Sequence, residues 1–327
     1  MKLFAFSCRE FDEKGFFIEA AKEYGMDFDY TTDNPTIDNC DLVKGSECIS
    51  VFTTPITHEM MDRYKELGVR MISTRTMGFD HIDIAYAKKI GMVVNHITYD
   101  SDGIAEFTVM DILMAVRRIK ELNVKTMEGD FRLNGMLARQ LKGLSVGIVG
   151  TGQIGIAVLR MLTGFGCKLY YYNRSDRPEA DKYAERLDLD TLLRTCDVVT
   201  LHLEYNPGTH HIIDADAIAK MKDGAILVNT SRGGLVDTEA MLSALESRHL
   251  SVVALDVIEN EFDLFYYDCR DKDLTKYYVG KVRGMPNVIY SHHMAYYYHE
   301  AIWGMVHNCV MSMKMFAEGK EVPLRLA

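Results

Sequence analysis

Short apolar runs punctuate the first third of the chain: "LFAF", "CISVF", "RMIST" and "MVVNH". Between them lie stretches of about 15 to 20 residues, such as "ITHEMMDRYKELG", whose apolar positions recur at helical spacing. This alternation predicts parallel strands joined by crossover helices, because a parallel connection needs a helix-length return. A second series begins at "LSVGIVG" and continues through "KLYYYN", "DVVTLHL", "AILVNT", "SVVALDV" and "NVIYSHH". These are six candidate strands, enough for a complete doubly wound sheet. The segment between the two series, "DGIAEFTVMDILMAVRRIKELNV", is apolar on more than one face. It predicts one long helix crossing from one domain to the other and a surface for subunit packing. No repeat, low-complexity tract or Gly/Ser linker interrupts the pattern, so the domains are expected to be joined by helices, with a cleft between them as the active site.

Composition narrows the function classes. A chain of 327 residues, 48% hydrophobic, suits two domains with substantial cores. Its formal net charge of -10 leaves no basic surface to neutralise a phosphate backbone or an anionic membrane, so neither nucleic acid nor membrane is expected as a partner. The seven cysteines are scattered and never form a C-x-x-C pair, which fits reduced thiols in a cytoplasm. The N-terminal segment turns acidic without an apolar h-region, and no run approaches the roughly 18 apolar residues of a membrane span. The expected location is cytoplasmic.

The first chemical motif is "GTGQIG", with Gly150, Gly152 and Gly155. It closes the apolar strand "SVGIV" and opens the helix "QIGIAVLRMLTGFG", the setting in which bare backbone lets a pyrophosphate approach the positive end of a helix. Dinucleotide binding is the expected function, with a turn serving only strand-helix packing as the plainer alternative. About twenty residues on, where an acidic side chain commonly receives the adenosine ribose, "NRS" supplies Asn173, Arg174 and Ser175. With no carboxylate to repel a 2'-phosphate, and a guanidinium and a hydroxyl to attract one, the expected preference is NADP over NAD. Arg177 is a further candidate for that phosphate. The plainer alternative is a solvated turn that tolerates both cofactors.

The second constellation is dispersed over strand ends. "ILVNTSRGGLVD" puts Arg232 just past one apolar run, "VVALDVIENE" puts Asp256 and Glu261 past the next, and "PNVIYSHHMA" puts His293 past the last. Carboxyl ends of parallel strands converge on one crevice, so these residues can meet. An arginine fork can orient the carboxylate of a 2-oxo acid. A histidine can protonate the ketone oxygen as hydride arrives from a nicotinamide, and a nearby glutamate would favour the charged imidazole.

"STRTMGFDHID", "VGIVGTGQIG", "MKDGAILVNTSRGGLVDTEAMLSALES", "ALDVIENE" and "GMPNVIYSHHMAYY" together resemble the D-isomer-specific 2-hydroxyacid dehydrogenase family over essentially the whole chain. Within that family the likeness is to D-lactate dehydrogenases, including the type found in vancomycin-resistance operons. The resemblance implies a Rossmann cofactor domain, residues 101–296, inserted in a flavodoxin-like substrate domain, residues 1–100 plus 297–327. It implies that Arg232 binds the substrate carboxylate, that His293 is the proton donor and that Glu261 is its partner and raises its pKa. The backbone around Met77 and Gly78 would complete the carboxylate pocket, and Tyr99 would sit beside the substrate. For the cofactor it implies contacts from Gln153, Ile154, His202, Leu203, Thr209, Thr230 and Ser231, with Asp256 holding the carboxamide. The expected reaction interconverts a 2-oxo acid and its D-2-hydroxy acid, pyruvate and D-lactate first, in a homodimer formed through the cofactor domain.

Some positions depart from the family pattern. "SHH" stands where Pro-His is common, and the spacing His-x-Ala selects His293 over His292. Glu259 competes with Glu261 for one role, which the spacing from Asp256 gives to Glu261. Glu204 replaces a usual proline after His202. The other histidines, His210, His211, His299 and His307, lack zinc-site spacing, and no metal is expected. "YYDC" and "AYYYHEAIW" offer either a wall for a bulkier substrate such as 2-oxoisocaproate or phenylpyruvate, or ordinary packing. Eukaryotic corepressors called C-terminal-binding proteins resemble the same family, so a dinucleotide-sensing binding protein is a further reading; appended tails around the two domains, which would favour it, are not expected here.

Overall fold

The computed structural model describes residues 1–261 and 263–327. The chain divides into two compact units, Met1–Asp100 with Tyr297–Ala327, and Ser101–Tyr296.

In the first unit, β1 (Lys2–Ala5), α1 (Lys14–Tyr24), β2 (Asp27–Tyr30), β3 (Cys48–Val51), α2 (His58–Glu66), β4 (Met71–Thr74), α3 (Ile84–Ile90) and β5 (Val93–Asn95) follow one another along the chain. The strands form one parallel sheet in the order β2-β1-β3-β4-β5, and the final helix, His299–Ala317, belongs to the same unit. β3 and β4 are buried at every position, as expected for parallel strands covered on both faces. β2, "DFDY", is a strand that the apolar pattern does not reveal: it lies at the sheet edge, with alternate positions exposed. Side-chain caps set the helix starts, Thr57 accepting from Met60 N at 3.2 Å and Asp83 from Tyr86 N at 2.9 Å.

The second unit opens with α4 (Asp102–Val116) and α5 (Ile119–Met127). The single long helix expected here is broken at Arg118, which takes φ +53°, and whose guanidinium reaches Glu121 and the Gly135 carbonyl. The break has a packing reason. α4 buries Ala105, Ile112, Ala115 and Val116 in the core, whereas α5 buries no residue. After these come β6 (Ser145–Val149), α6 (Gln153–Leu162), β7 (Lys168–Tyr172), β8 (Glu185–Arg186), α7 (Leu189–Thr195), β9 (Val198–Leu201), α8 (Ala215–Lys220), β10 (Ala225–Asn229), α9 (Thr238–Glu246), β11 (Leu250–Leu255), α10 (Tyr278–Val282) and β12 (Val288–Tyr290). The sheet order is β12-β11-β10-β9-β6-β7-β8, all parallel. Six of these strands match the expected apolar runs. The seventh, β8, is two exposed charged residues at the edge. Chain direction reverses its march across the sheet between β6 and β9, which puts a ligand crevice outside the carboxyl ends of those strands.

Candidate active site

The glycine motif is built around close backbone approach. Gly150 ends β6 at φ +98°, and a Cβ there would stand 2.4 Å from the His202 carbonyl oxygen. A Cβ on Gly155 would stand 2.1 Å from the Gly150 oxygen, so the first turn of α6 can close on the strand only with glycine present. Gly152 starts α6 with nothing within 4 Å of its would-be Cβ, leaving bare backbone at the positive end of the helix. These residues fit a dinucleotide pyrophosphate. Gln153 is exposed on the first turn of α6, while Ile154 is half-buried against the core. His202 accepts or shares a hydrogen bond with Thr200 Oγ1 at 3.0 Å, and burial pushes its imidazole down to about 3, so it is neutral. Leu203 packs on the core beside Gly150, and Thr209 Oγ1 closes its own turn by donating to the Glu204 carbonyl at 2.7 Å.

At the end of β7, Asn173 Oδ1 accepts from Thr151 N at 3.2 Å, coupling the ribose-side turn to the glycine loop. Its Nδ2 donates to Ser175 O at 2.9 Å and to Ser175 Oγ at 3.1 Å. Arg174 and Ser175 are exposed.

The loop after β10 is held from below. Asn229, fully buried, donates to Arg232 O at 2.8 Å and accepts from Ser231 N at 3.0 Å. Ser231 Oγ donates to Leu201 O at 2.6 Å, and Thr230 shares a 2.9 Å hydroxyl bond with Thr108 of α4. Gly233 follows where a Cβ would lie 2.2 Å from the Ile258 carbonyl carbon. These contacts fix the backbone from which the Arg232 side chain extends, its Nη1 donating to Ser231 O at 2.9 Å.

Asp256 organises the loop after β12. Its carboxylate accepts from Ser291 Oγ at 2.6 Å, Met294 N at 2.7 Å and Ala295 N at 2.9 Å, and its carbonyl accepts from His293 N at 2.7 Å. His293 is thereby held at φ +59°, a conformation a non-glycine residue keeps only when its surroundings impose it. Asp256 is 1% exposed, and three donors of this turn meet its carboxylate.

Asn260, at φ +60°, turns the chain after β11 so that Glu261 points inward, its Oε2 accepting from Ile258 N at 2.6 Å. Glu261 Oε1 then lies 3.7 Å from His293 Nδ1, which has no hydrogen-bond partner among the described residues. Glu259 faces elsewhere: it receives His211 Nε2 at 2.8 Å and caps α9 through Thr238 N at 3.1 Å. His292 is exposed. Phe265 meets the His293 ring edge-on at 5.2 Å, and Tyr296 at 6.0 Å.

The electrostatics differ in direction from the sequence expectation. Burial raises the Glu261 carboxyl well above the usual carboxylate range, with Asp256 adding to the rise. Burial and the Arg232 guanidinium push His293 down to about 3. Both shifts favour the uncharged forms, a protonated Glu261 carboxyl and a neutral imidazole. Burial and the Arg232 charge outweigh the rise that Glu261 is expected to give His293.

Met77, Gly78 and Tyr99 belong to the first unit. Thr76 Oγ1 donates to Gly78 O at 2.5 Å and meets Thr74 Oγ1 at 2.6 Å, while Thr74 Oγ1 also meets His81 Nε2 at 3.0 Å, so the turn carrying Met77 and Gly78 is internally fixed. Beneath it Arg75, fully buried, reaches Glu13 Oε1 at 3.1 Å, Ser50 Oγ at 3.1 Å and the carbonyls of Phe6 and Ser7. Tyr99 packs against Gly304 of the final helix. Sequence reasoning did not single out Asn229 or Arg75. A polar residue inside an apolar strand end is the only signal either gives.

The family model described as "D-isomer specific 2-hydroxyacid dehydrogenase, NAD binding domain" matches residues 109–295. The chain is similar to a D-specific alpha-keto acid dehydrogenase of Enterococcus faecium, 38% identical over 97% of each chain. Among solved structures it is similar to a D-lactate dehydrogenase of Treponema pallidum, with 29% identity, a TM-score of 0.89 and 99% of each chain covered. It is also similar to a D-2-hydroxyisocaproate dehydrogenase, with 30% identity, a TM-score of 0.87 and 99% of each chain covered. The chain belongs to the D-isomer-specific 2-hydroxyacid dehydrogenase family. It is an oxidoreductase of 2-oxo acid/2-hydroxy acid pairs that carries an NAD-binding domain.

Proposed function

We propose that this chain reduces a small 2-oxo acid, pyruvate first, to the D-2-hydroxy acid, and that it takes NADPH in preference to NADH. One observation carries the reading: Arg232, Glu261 and His293, from the loops after three successive parallel strands, converge so that His293 Nδ1 lies 3.7 Å from Glu261 Oε1 and the Arg232 charge bears on both. Bound nicotinamide supplies or accepts the hydride. Arg232 holds the substrate carboxylate, which fixes the ketone orientation. That carboxylate also offsets the guanidinium charge that depresses His293. The proton resting on Glu261 can then move to Nδ1, leaving a charged imidazole beside a carboxylate, and Nε2 gives its proton to the ketone oxygen. Met77, Gly78 and Tyr99 are proposed substrate contacts on their own unit. Gly150, Gly152 and Gly155, with Gln153 and Ile154, receive the pyrophosphate, and Thr230 and Ser231 line the nicotinamide side. His202, Leu203 and Thr209 flank it. Asp256, which positions His293, is also proposed to hold the carboxamide.

Asn173, Arg174 and Ser175 support NADPH, since the strand end presents no carboxylate at Asn173. The aromatic rings of Phe265 and Tyr296 around His293, and the likeness to a D-2-hydroxyisocaproate dehydrogenase, favour a second reading, the same chemistry on a bulkier 2-oxo acid. Absorbance at 340 nm with NADPH and NADH against pyruvate, 2-oxoisocaproate and phenylpyruvate tests both. Oxidation of neither cofactor with any acid would favour a dinucleotide-sensing binding protein.

A homodimer through the second unit accounts for exposed Leu133 and Leu137, 89% and 94% accessible, in the segment after α5. Light scattering tests it, with Leu133→Glu plus Leu137→Glu expected to give a monomer. The unpaired cysteines support a cytoplasmic location.

A further inference from the structure

Asn173 has no neighbouring acid in sequence, yet an acid does stand in the same turn. Asp176 is 88% exposed and is paired with Arg186, the second residue of β8, whose side chain is 38% exposed. Arg186 is not an ordinary surface arginine. Its Nη2 donates to the carbonyls of Asn173 at 2.9 Å and Arg174 at 3.4 Å, and its Nη1 carries the Asp176 carboxylate. The register β7 to β8, with Tyr171 opposite Arg186, brings the guanidinium across the sheet edge to the very end of β7. One face of the guanidinium is thus fixed to the backbone of the ribose-side turn, and the other holds an exchangeable anion.

We propose that Arg186 is the specificity-determining cation for a 2'-phosphorylated adenosine ribose, and that Asp176 is its internal competitor. This deepens the NADPH reading and rests on it for the choice of ligand. A phosphate monoester carries about -1.5 to -2 charge near pH 7, against -1 for a carboxylate, and offers three acceptor oxygens. At a guanidinium already oriented by two carbonyls, the phosphate displaces Asp176, which swings into water because Arg186 is its one hydrogen-bond partner among the described residues. With a cofactor lacking the 2'-phosphate the Arg186–Asp176 pair stays closed. Arg174 and Arg177, on the same turn, add mobile charge, while Glu179, Asp181 and Glu185 oppose it. Of these five, Asp181 is engaged by the Tyr171 hydroxyl at 2.5 Å, and among the described residues none of the others shows the backbone anchoring of Arg186.

The test is calorimetric titration of the full chain with NADP+ and NAD+ separately, for wild type, Arg186→Gln and Asp176→Asn. Loss of a charge-assisted bond corresponds to about tenfold or more in affinity. Arg186→Gln is expected to weaken NADP+ at least tenfold more than NAD+. Asp176→Asn is expected to tighten NADP+ severalfold relative to NAD+. Arg186→Gln weakening both cofactors equally, or an Asp176→Asn ratio that stays at the wild-type value, would overturn the proposal. A wild type that prefers NAD+ while both variants shift the ratio in the stated directions would refute the NADPH preference and leave this inference standing.

Discussion

The carboxylate of Asp256 accepts the backbone N–H of Met294 at 2.7 Å, and through it grips the turn in which His293 sits. Asp256→Asn would turn one acceptor into a donor facing backbone N–H groups. A buried donor left unmade costs about 1–3 kcal/mol, so unfolding free energy should fall by that amount. At saturating substrate kcat should fall at least tenfold, since the imidazole is no longer held in place. Denaturant unfolding and steady-state kinetics on the same variant separate the two effects, and an unstable variant with wild-type kcat would remove Asp256 from the positioning role.

His293→Ala should lower kcat by about 10²- to 10⁴-fold, the usual contribution of a positioned proton donor, with cofactor affinity changed far less. A variant that keeps full rate shifts the role to His292. Arg232→Gln should instead raise KM and lower kcat together, because the substrate loses both its charge partner and its orientation; unchanged kinetics would take Arg232 out of the site.

Asp111, on α4, is 1% exposed, its Oδ2 has no hydrogen-bond partner among the described residues, and burial with Asp256 nearby raises it from 3.8 to about 7. The folded state holds this proton more tightly than the unfolded chain. The stability it contributes is therefore present below pH 4 and is lost as pH rises to about 7. A shift of that size corresponds to about 4 kcal/mol as an upper bound. Asp111→Leu should raise thermal stability, and by more at pH 8 than at pH 5. A gain independent of pH would mean that the carboxyl is not the source.

Asn173→Asp should move cofactor preference toward NADH, by restoring a charge that repels a 2'-phosphate. It also removes the Nδ2 donor to Ser175 O and Oγ, so the turn should loosen as well. The ratio of kcat/KM for the two cofactors reads the first effect, and a ratio that stays put would sink the account of this strand end.

The two parallel sheets were legible because buried strands such as "SVGIV" and "AILVN" are continuous apolar runs. Edge strands carry no such signal: "DFDY" and the pair Glu185–Arg186 are polar, and only their neighbours make them strands. The break at Arg118 was equally hidden, since neither proline nor glycine marks it. In the site, Arg232, Glu261 and His293 could be found because strand ends of a parallel sheet converge. The grip of Asp256 on residues 291–295 and the hold of Arg186 on the β7 turn depend on long-range geometry that no local spacing encodes. For the Glu261–His293 pair, proximity alone suggests an ion pair, whereas burial favours the uncharged form of each group, and sequence spacing does not encode burial.

The first unit is assembled from two stretches of chain, residues 1–100 and 297–327, with the second unit contained between them. During synthesis the second unit can complete its sheet while the helix His299–Ala317 is still inside or unmade by the ribosome. The amino-terminal strands must wait for that helix to cover one face of their sheet. Nascent chains stalled before residue 299 should therefore present a protease-resistant second unit beside a susceptible amino-terminal segment, so that vectorial translation itself sets the order of maturation.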